Sequence, residues 1–354
     1  AGRDQHQRRR AAVSTSLRLH SPIPDQRAPA CEAKMSLVSV VVPFFNEEKA
    51  LPELMRRLDA VAESAEHDFE VILVDNASTD ASREIVLDRC RANTSYRYIR
   101  FSRNFGPSVE ASLSAGYRVA SGDAVVVLYS DLQDPPELIP RLIEEWEAGA
   151  DVVYGQQTAR RGEPPWRRLA VRLFYRIMNR MSDSPVQLHA GDFRLISRRV
   201  KDVLNDLPET VRFTRALIPW IGFRQVEVPY VRNPRHSGAS KANLSAISST
   251  ALTALTSFSL KPLQLVSSIG LVIAVFSVLG MVSYGIFFAL GRTIPGVATI
   301  VILLFFSLGV NMVILGLIGA YVGRIFLEVK RRPLYVVEDT VNVVGPGWVD
   351  PSQT

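Results

Sequence analysis

Cysteine is nearly missing from this chain, with Cys31 and Cys90 the two examples in 354 residues. Two are too few for a disulfide framework, and their spacing fits no zinc site. Cys90 ends a helical pattern and reads as a small buried hydrophobe. Glycine-rich phosphate loops are missing too. Neither a G-x-G-x-x-G fingerprint nor a Walker A sequence occurs, so dinucleotide oxidoreductases and P-loop NTPases fit poorly. Charge is lacking altogether in two long stretches, Pro262 to Gly291 and Thr293 to Gly323. The formal charge of +6 is concentrated in residues 1–34, which hold seven Lys and Arg against three Asp and Glu. The remainder is nearly balanced, so the pI is a poor argument for nucleic acid, and no nucleic-acid partner is expected.

Residues 1–34 show no apolar periodicity and are expected to form a disordered basic extension. They lack the apolar core of a secretory signal, and the folded domain is expected to begin near Met35. Each uncharged stretch exceeds the roughly 20 residues that cross a hydrocarbon core of about 30 Å. Separated by Arg292 and its neighbours, they are expected to form a two-helix transmembrane hairpin, 262–291 and 293–323. Lys261 precedes the pair, and Arg324, Lys330, Arg331 and Arg332 follow it. That bias places both outer ends, and the large N-terminal domain, on the cytoplasmic face of the plasma (inner) membrane, with 324–354 as a cytoplasmic tail. Gly316, Gly319 and Gly323 put small residues along one side of the second span, which permits close helix packing or homo-oligomer contacts.

Between Leu37 and Val231 strand-like and helix-like patterns alternate. Strands are expected at Leu37–Val42, Phe69–Val74, Tyr96–Phe101, Ala124–Leu128 and Asp151–Tyr154, with helices at Glu47–Ala65, Ala81–Arg91 and Val109–Ala120. This is the pattern of βαβ units around a mostly parallel α/β sheet. In Trp166 to Met181, apolar residues three and four apart make one helix face, with Arg168, Arg172, Arg176 and Arg180 as a basic stripe beside it. A basic amphipathic helix of this kind suits a membrane interface. A second apolar face, from Leu244 to Phe258, leads into the first span through an expected juxtamembrane segment, 236–261.

Four polar clusters fall at expected strand ends: Pro43 to Glu48, Asp75 to Asp80, Arg103 to Gly106, and Asp131 to Glu137. Open α/β sheets bind ligands at such an edge. Acidic and amide groups can hydrogen-bond a base and ribose hydroxyls. Asp131, with an oxygen donor two residues on in Gln133, suits a hard divalent cation that bridges phosphates. Pro135 and Pro136 are expected to open a helix.

The chain resembles a family 2 glycosyltransferase of the GT-A (Rossmann-like) fold and polyprenyl-phosphate type. It is similar to bactoprenol glucosyltransferases and related to dolichyl-phosphate mannose synthases. The motifs that carry the likeness are Val41-Val42-Pro43-Phe44-Phe45-Asn46-Glu47, Val74-Asp75-Asn76-Ala77-Ser78-Thr79-Asp80, Arg103-Asn104-Phe105-Gly106 and Asp131-Leu132-Gln133-Asp134-Pro135-Pro136-Glu137. Gly191-Asp192-Phe193-Arg194-Leu195 and Arg235-His236-Ser237-Gly238-Ala239-Ser240-Lys241 complete the set. Coverage runs from about Leu37 to Glu338, with 35–235 as the catalytic domain.

The resemblance implies that Pro43, Phe44, Asn46, Glu47, Asp75 and Ser78 line the nucleoside site, and that Asp131 and Gln133 ligate Mg²⁺ or Mn²⁺. It places Arg103, Arg212, Arg235, Ser240 and Lys241 near phosphates, Asp192 near sugar and acceptor, and Arg160, Arg161 and Arg176 on the lipid phosphate. The implied reaction is inverting transfer of a hexose, from UDP-glucose as the first choice, to polyprenyl (undecaprenyl) phosphate. GDP-mannose, and a non-catalytic membrane scaffold, are the alternatives. A processive polysaccharide synthase would carry Gln-x-x-Arg-Trp, which is absent from the chain. The chain departs from the family where Tyr129 replaces an acidic residue before Asp131, and at Pro107, His189 and Ala242.

Overall fold

The computed structural model describes residues 36–106, 108–157, 190–209, 212–232 and 296–343, with single positions between 268 and 290. The helix expected at Trp166–Met181, the Leu244–Phe258 face and most of the first span lie outside the described residues.

β1 (Leu37–Phe44) is buried on both faces, as its apolar run, interrupted only by Ser39, requires. Val38, Val40, Val42 and Phe44 join one core layer and Val41 the other. The first layer packs beneath α1 (Leu51–Ser64), which buries Leu51, Leu54, Met55, Leu58 and Val61 at helical spacing. β2 (Asp68–Asp75), α2 (Ser82–Ala92), β3 (Tyr96–Phe101), α3 (Glu110–Val119) and β4 (Ala124–Val127) continue the alternation. A 3₁₀ turn at Pro136–Leu138 leads into α4 (Ile139–Glu147), so the proline pair does open a helix. Then come β5 (Val152–Gln157), β6 (Ala190–Ser197), α5 (Arg198–Asp206), α6 (Thr214–Ile221), β7 (Gln225–Tyr230), α7 (Val297–Lys330) and β8 (Val337–Val341).

The strands form one sheet in the order β7-β5-β6-β4-β1-β2-β3-β8. The four central strands are parallel, as the βαβ pattern requires. Beyond them the sheet is mixed: β5–β7 is parallel, while β4–β6, β5–β6 and β3–β8 are antiparallel. Six of the eight strands therefore run the same way and the sheet is mostly parallel, with β6, entering between β4 and β5, and the edge strand β8 reversed.

α7 is the long apolar helix of the C-terminal region. Its stretch Phe306–Lys330 is long and apolar enough to cross a membrane. Apolar side chains stand out from it, Phe306 at 66% exposure, the kind of exposed apolar surface that marks a membrane or protein contact. The helix runs to Lys330, seven residues beyond the expected end at Gly323. The expected tail is likewise part structure, because Val337–Val341 return as β8 on the edge of the sheet. Of the first expected span, Val272, Phe276 and Ile286 are helical and exposed.

Candidate active site

The carboxyl ends of β1, β2, β3 and β4 share one edge because these strands are parallel, and the four polar clusters follow them there. The first two loops are sewn together. Asn46 N donates to Ser78 Oγ at 3.0 Å, Thr79 N to Asn46 Oδ1 at 2.8 Å, and Glu47 N to Ser82 Oγ at 2.9 Å. Asn46, Ala77 and Leu132 adopt φ of 56°, 64° and 56° at the ends of β1, β2 and β4. That region is unfavourable for residues with a Cβ, and strain of this kind concentrates at functional sites. Leu132 is 3% exposed, so its anchorage in the core offsets the cost of the turn. Asp131 and Gln133 flank it, half-buried, and Asp131 Oδ1 accepts from Gln133 N at 3.2 Å.

Asp75 is fully buried at the end of β2. Its Oδ1 accepts from Ser78 N at 2.7 Å, and its Oδ2 accepts from Tyr98 Oη at 2.9 Å and Arg100 Nη1 at 2.8 Å. Burial beside that carboxylate pushes the Tyr98 phenol well up. Pro43 and Phe44 are buried as well, Phe44 within the core layer and Pro43 offering its carbonyl to Ser130 Oγ at 3.4 Å. Asn46 is exposed, with its side chain spent on the loop pairing just described. Arg103 is exposed at the end of β3, over the Phe105 ring at 4.1 Å. Asn76 ties that loop to the rest by accepting from Phe105 N at 3.0 Å.

A second group sits where β6 runs beside β4. Asp192 is 7% exposed, and Arg215 of α6 grips both its oxygens, Nε to Oδ1 at 2.6 Å. Tyr129 Oη donates to the same carboxylate and Arg194 lies 3.5 Å away. Burial acts to raise the Asp192 pKa, but Arg215, Arg194 and Tyr129 together hold it below the usual carboxylate range. Arg215 was not among the expected site residues. Arg212, three residues earlier, was expected, and its guanidinium donates to the carbonyls of Leu207 at 2.8 Å and Glu209 at 3.2 Å. Nothing in the sequence distinguishes the two arginines, since only the fold shows which one meets β6. Nearby, Asp134 is buried against the Tyr230 hydroxyl and Arg232, and burial raises its pKa. Arg160, Arg161, Arg176, Arg235, Ser240 and Lys241 lie outside the described residues.

Among the described residues, no three His, Cys, Asp or Glu side chains converge as a metal cage. Tyr129, in the place of a second acid, turns its hydroxyl to Asp192. Among the described residues, the turn after β4 offers the Asp131 carboxylate and the Gln133 amide oxygen. That set fits a hard cation such as Mg²⁺, which takes one or two protein oxygens and completes its shell with phosphate and water.

A mixed sheet with strained, acid-bearing loops at the carboxyl edge of its parallel strands is the design of a GT-A type glycosyltransferase. The family model described as "Glycosyl transferase family 2" matches residues 39–204. An uncharacterized glycosyltransferase of Synechocystis is 38% identical over 85% of this chain and 95% of its own length. Another from Bacillus subtilis is 38% identical over 86% and 94%. The prophage-derived bactoprenol glucosyl transferase of Shigella flexneri is 36% identical over 85% and 97%. The chain belongs to glycosyltransferase family 2 and is a glycosyltransferase.

Proposed function

We propose that this enzyme transfers a hexose from a nucleotide sugar, UDP-glucose as the first choice, to a polyprenyl phosphate such as undecaprenyl phosphate, with inversion at the anomeric carbon. The observation that carries the reading is the Asp131-Leu132-Gln133 turn, in a domain whose sheet is completed by the segment after an apolar, membrane-length helix. The likeness to bactoprenol glucosyl transferase, over 85% of this chain and 97% of that one, supports the acceptor class.

In this reading the paired β1 and β2 loops hold the nucleoside, with buried Asp75 fixing the turn that closes β2, and Asp131 and Gln133 would hold Mg²⁺ or Mn²⁺ at the diphosphate. The cation, when bound, neutralises charge on the departing nucleoside diphosphate. An oxygen of the acceptor phosphate forms the new bond to C1 as the C1–O bond to the diphosphate breaks, from the opposite face. The acceptor is already an anion at neutral pH, so no side chain has to remove a proton. Asp192 agrees with this, because its oxygens are engaged by Arg215 and Tyr129. Arg160, Arg161 and Arg176 are proposed to orient the lipid phosphate, with Arg103, Arg235, Ser240 and Lys241 near the diphosphate. The membrane arrangement proposed is a two-span hairpin with the catalytic domain on the cytoplasmic face.

The test is transfer of radiolabelled glucose from UDP-glucose to undecaprenyl phosphate by the full-length protein in membranes, with GDP-mannose as a parallel donor. Asp131→Ala should lower transfer at least about a hundredfold, the effect expected for losing a metal that stabilises the leaving group. Wild-type turnover by that variant overturns the metal assignment. Transfer from GDP-mannose alone overturns the donor.

A further inference from the structure

β8 is irregular where it passes the carboxyl end of β3. Arg100 pairs with Asp339 but Phe101 pairs with Val337, so Glu338 is an extra residue bulged from the ladder. A regular strand would send Glu338 and Asp339 to opposite faces. The bulge re-aims the side chain, and both carboxylates find arginines, one on α2 and one on β3. Asp339 meets Arg83 of α2 at 3.0 Å, and Glu338 meets Arg100 Nε at 2.8 Å.

The Glu338 contact differs from an ordinary surface pair in what lies behind it. Arg100 is only 15% exposed, and its other edge donates from Nη1 to buried Asp75 at 2.8 Å and from Nη2 to the Ser78 carbonyl at 3.3 Å. A guanidinium is planar and its donors form a rigid fork, so fixing Nε fixes the plane in which the two Nη groups lie. One arginine thus joins the segment after α7 to the carboxylate and the turn that close β2.

We propose that Glu338 is a positioning residue for the donor site, setting Arg100 and through it the Asp75 carboxylate and the Ala77–Ser78 turn. The proposal rests on the reading, given above, that Asp75 and the turn it holds form part of the nucleoside site. Glu338 touches no substrate. Its effect is on how well the pocket is formed before the donor arrives, so it belongs in donor affinity rather than in the chemical step.

The full-length enzyme in membranes provides the test. Glu338→Ala should raise KM for the nucleotide sugar about threefold to tenfold, the range of one partly screened charge-assisted hydrogen bond. It should leave kcat within about twofold and the acceptor KM unchanged, the signature of lost donor binding. Glu338→Gln keeps an acceptor for Nε and should recover most of the affinity. Asp339→Ala breaks the neighbouring pair on the same strand and should leave the donor KM at its wild-type value. An unchanged donor KM in Glu338→Ala, or an equal rise in Asp339→Ala, overturns the proposal. Asp75→Asn separates the two layers by equilibrium dialysis against UDP. If it binds normally, the reading of Asp75 fails; if it loses binding while Glu338→Ala does not, only the role of Glu338 fails.

Discussion

Removing the guanidinium of Arg215 asks whether Asp192 is held charged by its neighbours. Two charge-assisted bonds to a buried carboxylate would cost about 3–5 kcal/mol to break in a wholly buried pair. Asp192 is 7% exposed but the Arg215 side chain is 45% exposed, so screening brings the expected loss for Arg215→Ala to about 1–3 kcal/mol. For a domain of this size that is a fall in Tm of about 3–10 °C, read by fluorescence melting of the detergent-solubilised full chain. The sign with pH follows from the depressed Asp192 pKa. Stability from a depressed acid is fully present above its unfolded value of 3.8 and is lost as pH falls through the folded value. The gap between wild type and Arg215→Ala should therefore narrow in acid. In an Asp192→Asn background the same arginine substitution should cost much less, leaving a coupling of about 1–2 kcal/mol in the double-mutant cycle. Strict additivity of the two substitutions would refute the account.

Three further outcomes are expected. A Cβ on Gly116 would lie 2.2 Å from Val41 Cγ1, so Gly116→Ala should destabilise by about 1–3 kcal/mol; Val41→Ala in the same chain should recover part of the loss on melting. Tyr230→Phe removes the hydroxyl that lowers the pKa of buried Asp134, so that already raised pKa should rise further. Stability tied to a raised acid is lost as pH rises through its folded pKa, so the deficit, about 1.5–3 kcal/mol at neutral pH, should shrink in acid; a deficit equal at both ends would contradict it. EDTA should abolish glucosyl transfer by the membrane-bound enzyme and excess Mg²⁺ or Mn²⁺ should restore it, whereas full activity in chelator would remove the metal from Asp131 and Gln133.

The parallel centre of the sheet was legible because its strands are buried on both faces and read as apolar runs, Val40–Val42 and Val71–Val74 among them. Tyr96–Phe101 was expected with the very bounds it has. β6 hid because Asp192 and Arg194 point into the protein, where paired charge looks in sequence like a surface turn. β8 hid because Val337-Glu338-Asp339-Thr340-Val341 is short, acidic and placed after a long apolar helix, where a tail is the natural expectation. The candidate site was legible as clusters at strand ends, since strand direction alone brings those ends together. Arg215 and Arg100 were not, because their roles depend on partners 23 and 238 positions away.

β8 also has a meaning for how the protein comes to be folded. Asn342, just past β8, donates to the carbonyl of Cys90, 252 positions earlier in the chain. The open edge of β3 therefore waits, through synthesis of everything between, for a strand that emerges only after α7. An uncovered edge is the part of a sheet most prone to pair with the wrong chain. If α7 crosses the bilayer, β8 can reach that edge only when the helix has inserted in the correct sense. Completion of the sheet then reports, within one molecule, that its membrane segment has taken the right orientation.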